Sequence, residues 1–173
     1  MADFVLRQAL PEDAEALFAL ISAHQREGHL LPRTLDDLRR HAARFVVCDV
    51  SGELKASAEL APLSRTVAEV RSLVVAEDFR RVGLAARLVA HLRDRAKAAG
   101  FETLCAFTHD ARFFVRQNFS IVPHLSVPEK IGTDCVSCPL FRTCGQYAMI
   151  LPLRAVAKYK VATPAARREA VVA

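Results

Sequence analysis

The sequence predicts an α/β domain with a mixed central sheet and helices on both faces. Three observations carry this expectation. Short segments with strand-like apolar patterning recur along the chain. Three of them follow one another through turns, which predicts an antiparallel start to the sheet. The later ones alternate with segments of helical period, which predicts a partly parallel continuation. A chain of 173 residues suits one domain with one sizeable core. That domain is expected over residues 1–153, with an Ala-rich basic tail over 154–173.

Residues 4–9 alternate well enough for an edge strand. Pro11-Glu12-Asp13 then opens a helix, with proline in its first turn, acids at its positive end, and Leu17, Phe18 and Ile21 as its apolar positions. Gly28 should break that helix, and Thr34 should cap a second, short one that carries Leu35, Leu38 and Ala42. Residues 44–49 and 54–60 flank Ser51-Gly52 and read as a hairpin. Residues 67–75 form a third consecutive strand, apolar toward its end and therefore central. A long amphipathic helix follows, with Leu84, Leu88 and Leu92 on one stripe and Gly100 as its left-handed cap. Beyond it come a strand over 104–107, a short helix over 111–117 and a last strand over 147–151, with an irregular cysteine-bearing insertion over 123–145.

Composition excludes several function classes. At 52% hydrophobic and 25% charged residues the chain is neither disordered nor a disulfide mini-scaffold. No apolar run reaches the roughly 18 residues of a membrane span. The start Met1-Ala2-Asp3-Phe4 lacks the pattern of an export signal, so a cytoplasmic protein is expected. The net charge of +5 resides mostly in the tail, where Arg154, Lys158, Lys160, Arg167 and Arg168 face Glu169 alone. With only 7% aromatics and no Trp, a nucleic-acid surface is not expected. The six glycines lie 13 or more positions apart, which excludes both G-x-G-x-x-G and the P-loop. Any phosphate cradle must be built around a single glycine.

The stretch Ala68-Glu69-Val70-Arg71-Ser72-Leu73-Val74-Val75 runs through a tight loop, Glu77-Asp78-Phe79-Arg80-Arg81-Val82, into Gly83-Leu84-Ala85 at the start of the long helix. Unpaired N–H groups and the helix dipole favour an anion there, and small residues permit close approach. Arg80-x-x-Gly83-x-Ala85 resembles the [Q/R]-x-x-G-x-[G/A] acetyl-CoA signature of the GNAT N-acetyltransferases, and the element order over residues 4–152 is similar to that fold. The resemblance implies that the main chain of Leu73, Val74 and Val75 pairs with the pantetheine arm of acetyl-CoA. It also implies that Arg80, Arg81, Val82, Gly83, Leu84 and Ala85 surround the pyrophosphate.

Acetyl transfer to an amine needs the neutral nucleophile, so a base must accept a proton directly or through water. Glu69 is the candidate; the alternative is a solvated strand-end glutamate. GNAT enzymes often protonate the departing thiolate with a Tyr on the fourth helix, but Phe114 stands at that position. His109 is the nearest substitute, or simply a surface or capping residue, and coenzyme A thiolate also leaves without a dedicated acid.

Three further segments resemble the short, kinase-less N-acetylglutamate synthase branch: residues 28–34, Glu69-Val70-Arg71-Ser72-Leu73, and residues 128–131 running into 134–141. In that branch the Arg at the position of Arg33 suits the α-carboxylate of glutamate, a planar anion that guanidinium grips at two points. Arg71 is a second acceptor candidate or a structural ion-pair partner, with Ser72 beside it. His109-Asp110, Asn118 and Gly145-Gln146-Tyr147 depart from the branch pattern, which weakens the claim to glutamate more than the claim to acetyl transfer onto an amino acid.

Five cysteines without an export signal argue for a reducing compartment, with Cys48 and Cys105 as core residues. Cys135, Cys138 and Cys144 either bind zinc, with His124 as a fourth ligand, or form a metal-free or redox-sensitive loop. Oligomeric state is not legible, a homodimer being one option. Two other readings stay open: a GNAT enzyme for another amine, such as a protein N-terminus or a polyamine, and a non-catalytic module that binds acetyl-CoA or zinc.

Overall fold

The turn at Ser51-Gly52 sets the register of the sheet. Both residues take positive φ, +53° and +86°, the backbone twist that suits a two-residue hairpin. The turn joins β2 (Phe45–Val50) to β3 (Glu53–Pro62) in antiparallel pairing. A computed structural model describes residues 4–25, 30 and 32–154. The expected break at Gly28, together with His29 and Leu31, and the tail from residue 155 lie outside the described residues.

The described sheet has seven strands in the order β1-β2-β3-β4-β5-β7-β6. β1 (Val5–Gln8) forms one edge against β2, and β4 (Val67–Val75) runs antiparallel along the other side of β3. β5 (Thr103–Thr108) pairs parallel to β4, and β7 (Tyr147–Pro152) inserts between β5 and the short edge strand β6 (Ser120–Val122). The sheet is therefore mixed, with its one parallel pair at β4 and β5.

Period-two alternation sends alternate residues of each strand to opposite faces. Val46 and Cys48 of β2, Ala56, Ala58 and Leu60 of β3, and Ala68 and Val70 of β4 meet Leu84, Leu88, Val89, Leu92 and Ala96 of α3 (Leu84–Ala98). On the opposite face Phe45, Val47, Leu54 and Val74 pack on Leu17 and Ile21 of α1 (Ala14–Gln25) and Leu38 of α2 (Leu35–Arg40). Leu88 is fully buried, so Leu88→Ala belongs to a class of truncation that costs about 2–5 kcal/mol.

Local signals end the helices. Thr34 Oγ1 accepts from the Asp37 amide at 3.1 Å, and Gly100 takes φ +85° as Phe101 N reaches back to Ala96 O at 3.0 Å. Asp110 caps α4 (Ala111–Arg116), and Asn118 takes the left-handed position after it at φ +68°. Two expectations need correcting. Phe18 is 40% exposed, because the buried stripe of α1 runs through Ala14, Leu17 and Ile21, and Phe18 is turned about 100° from Leu17. The 123–145 stretch is only partly irregular: it contains α5 (Pro128–Thr133), a six-residue helix begun by a proline.

Candidate active site

The site begins where the β3–β4 register slips. Ser57 faces Val74 while Glu59 faces Arg71, so two residues of β4, Ser72 and Leu73, stand against Ala58 alone. Ser72 takes φ +48°, and the Ser57 hydroxyl donates to its carbonyl at 3.3 Å. Beside this bulge the parallel pairing ends at Val70 and Ala106, and the rest of β5 continues with β7. Strands β4 and β5 thus splay apart, and a cleft of about 1020 Å³ opens between them.

One end of the cleft is made by main chain. Ala76 N donates to Lys55 O on β3 at 2.8 Å, so alternation turns the peptide of Val75 the other way, toward the cleft. Its carbonyl there lies 3.1 Å from His24 Nε2 and accepts from Arg80 Nε at 3.3 Å. The same alternation turns the main chain of Val74 toward β3, although Leu73, Val74 and Val75 all line the cleft. Gly83 takes φ +80° at the start of α3 and Arg81 takes φ +68°, and no side chain caps this helix. A second cavity of about 340 Å³ adjoins the cleft there, lined by Arg80, Arg81, Gly83, Leu84, Ala85 and Arg116 among others. Open helix amides, two exposed arginines and a glycine turn suit a pyrophosphate. Val82 is 61% exposed beside them.

The other end is made by charged side chains. Glu69 is 3% exposed, and Lys130 Nζ donates to its Oε2 at 2.9 Å and lies 2.8 Å from its Oε1. Arg71 bridges Glu69 and Asp134, and Lys130 also pairs with Asp134 at 2.8 Å. Burial works against the Arg71 charge, but Glu69, Asp134 and Glu59 outweigh it and hold the guanidinium more firmly protonated. Burial pushes the Cys105 thiol up, and the negative charge of Glu69, its register partner, adds to that. Glu69 is thus a buried, ion-paired carboxylate rather than a solvated strand-end residue.

A second cluster surrounds Glu59, which is 1% exposed. Arg33 donates to it at 2.8 Å through Nη1 and meets Asp37 through Nη2 at 2.8 Å. Arg33 therefore carries internal counter-ions, as does Arg71, although only two of the five guanidinium N–H donors of Arg33 are engaged here; its buried Nε has no partner among the described residues. Arg44 approaches Glu59 from the other side at 3.9 Å. Sequence reasoning missed Glu59, Arg44 and His24, and it quoted Lys130 and Asp134 without a role. A glutamate in an alternating strand reads as solvent-facing, and only cations from other elements make it a buried one.

His109 lines the cleft at the end of β5, where an added Cβ on Gly145 would come within 3.8 Å of its ring. Phe114 is buried, edge-on to Phe113 and Phe119, and has no hydroxyl to offer. Of the two readings of the cysteine loop, the structure does not assemble the zinc one. Among the described residues no three His, Cys, Asp or Glu side chains are grouped to hold a metal, although Cys135, Cys138, Cys144 and His124 are all described. The three thiols are free, and Cys144 Sγ turns toward Gln146 Oε1 at 3.9 Å. No helix among the described residues is long and apolar enough to cross a membrane.

Comparison with known proteins gives this arrangement a family. Residues 8–119 match the model of the acetyltransferase (GNAT) family. The chain is 30% identical over 152 residues to an uncharacterized N-acetyltransferase, CT2212, of Chlorobaculum tepidum, covering 88% of this chain and 98% of that one. An amino-acid acetyltransferase of Ectopseudomonas mendocina is 33% identical over 116 residues, 66% of this chain and 27% of that relative. The chain thus spans about a quarter of the length of that enzyme. Among solved structures, N-acetylglutamate synthase from Neisseria gonorrhoeae, complexed with coenzyme A and N-acetyl-glutamate, superposes with a TM-score of 0.79 at 25% identity, over 90% of this chain and 36% of that one. The splayed strands, the open start of α3 and these matches agree: the chain belongs to the GNAT family, as an acetyl-CoA-dependent acetyltransferase.

Proposed function

We propose that this chain acetylates the α-amine of a free amino acid, L-glutamate or a close analogue, as in arginine biosynthesis. The observation that carries the reading is the continuity of the cleft. One opening runs from the main-chain edge of β4 and the start of α3 to Glu69, the buried carboxylate at the point where β4 and β5 part. A donor laid along β4 would present its acetyl group near the bulge, and an amine arriving from the charged end would meet it beside Glu69. The names of the relatives that act on amino acids, and the N-acetyl-glutamate in the neisserial complex, support the choice of acceptor.

In this reading the neutral amine attacks the acetyl carbonyl, and Glu69 accepts the ammonium proton directly or through water. One lone pair of Glu69 Oε1 remains beyond its contact with Lys130, which leaves room for that proton. The tetrahedral centre collapses as the C–S bond breaks, and the thiolate takes up a proton, from His109 or from water. Arg33 binds the α-carboxylate through its remaining donors, with Arg71 and Ser72 at the edge of the same pocket. The test is appearance of free coenzyme A thiol with a panel of amines. The reading expects turnover with glutamate or related amino acids well above that with polyamines or peptide N-termini. Turnover confined to peptides or polyamines overturns it.

A further inference from the structure

We propose that Arg44 determines acceptor specificity by holding the side-chain carboxylate of an acidic amino acid while Arg33 takes the α-carboxylate; this rests on the amino-acid reading above. The four cations of the acceptor end differ in how fully the protein has neutralised them. Arg33 meets two carboxylates at 2.8 Å, and Lys130 meets Glu69 and Asp134 at 2.8 Å. Arg71 is likewise shared between Glu69 and Asp134. Arg44 is the exception. Its guanidinium comes no nearer than 3.9 Å to Glu59 among the described carboxylates, and its side chain is 39% exposed while lining the cleft.

The base of Arg44 is fixed although its head is only loosely paired among the described residues. Arg44 N donates to His41 O at 2.9 Å, and Arg95 of α3 donates to Ala43 O at 2.9 Å and to Arg44 O at 3.5 Å. The next residue, Phe45, accepts from Ala9 N at 3.0 Å. A pinned backbone under a loosely paired guanidinium is a pre-organised clamp, because little backbone entropy remains to be lost when an anion binds. Position agrees with this. Phe45, Glu59 and Arg71 stand opposite one another across β2, β3 and β4 in a row about 10 Å long, with Arg71 at one end and Arg44 just before Phe45 at the other. Glu69 lies on the Arg71 side of that row, two residues along the same face of β4. An acceptor with its amine at Glu69 can therefore direct its side chain along this row toward Arg44.

The experiment compares kcat/KM for glutamate and glutamine, which differ in charge but hardly in shape, in the wild type, Arg44→Gln and Arg44→Lys. The wild type should favour glutamate. In Arg44→Gln the glutamate-to-glutamine ratio should fall about 10- to 100-fold, mostly through KM for glutamate, as loss of a charge-assisted pair predicts. Arg44→Lys keeps the charge without the planar fork and should restore part of the ratio. Should Arg44→Gln not fold, a several-fold fall in the ratio for Arg44→Lys carries the same test. An unchanged ratio in a folded variant, or a wild type indifferent between the two acceptors, overturns the role of Arg44 and leaves the amino-acid reading standing. A wild type that acetylates no free amino acid overturns that reading and this role with it.

Discussion

The two ends of the cleft are built by different means. In the proposed reading the partners at the donor end are main-chain atoms: the open edge of β4, the turn at Gly83 and the uncapped amides of α3. These belong to one continuous stretch, so the geometry follows from local sequence and from the φ that glycine permits. At the acceptor end the partners are side chains from β3, β4, α5 and the turns before α2 and β2, which meet only in the folded chain. Buried cations and carboxylates there compensate one another, and removing one member strands another in a poorly solvated place. Donor binding should therefore tolerate most changes that spare the backbone, whereas the acceptor end should respond sharply to single charges.

Glu69→Gln tests the sharper end and should give the largest effect. The amide keeps the shape but accepts no proton at neutral pH, so turnover should fall by roughly 10²- to 10⁴-fold while acetyl-CoA binding persists. The loss should shrink at high pH, where the amine loses its proton in bulk solvent and arrives already nucleophilic. Steady-state rates from pH 7 to 10 with saturating acceptor check this. Wild-type turnover of Glu69→Gln at pH 7 would remove Glu69 from the mechanism and make its ion pairs purely structural.

Gly83→Glu attacks the donor end. A carboxylate beside the pyrophosphate position opposes the anion, and any side chain at φ +80° adds strain of about 1–2 kcal/mol. In the wild type, acetyl-CoA at 100 times its dissociation constant should stabilise the fold by roughly 2.7 kcal/mol, and in the variant that increment should vanish. Thermal unfolding with and without ligand separates the two effects, because the strain is present in both measurements and the increment only in one. An equal ligand shift in both proteins would move the donor site away from α3.

Legibility in the sequence divides along the same line. β4 and α3 lie close to their expected bounds because an apolar run, a tight loop and an i, i+4, i+8 leucine stripe are local signals. β6 was not legible, since it is three residues long and exposes Ile121, and α5 was not legible, since six residues have no room for an apolar stripe. What anchors α5 is Lys130 reaching Glu69 on β4, a contact 61 positions apart in the chain. Glu59 was missed for a related reason: its burial depends on Arg33 and Arg44, which approach from other elements. Local patterning thus reveals the end of the cleft proposed for the donor, and long-range charge compensation, which has no period, hides the end proposed for the acceptor.

A third charged cluster, far from the cleft in function, sharpens the contrast by being purely structural. Arg7 on β1 donates to both oxygens of Asp13, at 2.7 and 2.9 Å, and to Asp49 on β2 at 2.9 and 3.2 Å. Its hydrogen bonds hold both carboxyls below the usual carboxylate range, and Leu10 N and Gly52 N add a bond to each. A carboxyl whose folded-state pKa is depressed stabilises the fold above its unfolded value, near 3.9, and loses that contribution as pH falls through the folded value. Stability should therefore be insensitive to this cluster between pH 5 and 8 and should decline below about pH 4. The three side chains are partly exposed, so solvent screening limits the contribution to about 1 kcal/mol. Arg7→Met should lower the unfolding free energy by about that amount at pH 7 and flatten its decline in acid, without altering the glutamate-to-glutamine ratio. Chemical denaturation at pH 7 and pH 3.5 measures both. An acid decline as steep in Arg7→Met as in the wild type would show that the Arg7 cluster does not set the acid lability of the fold.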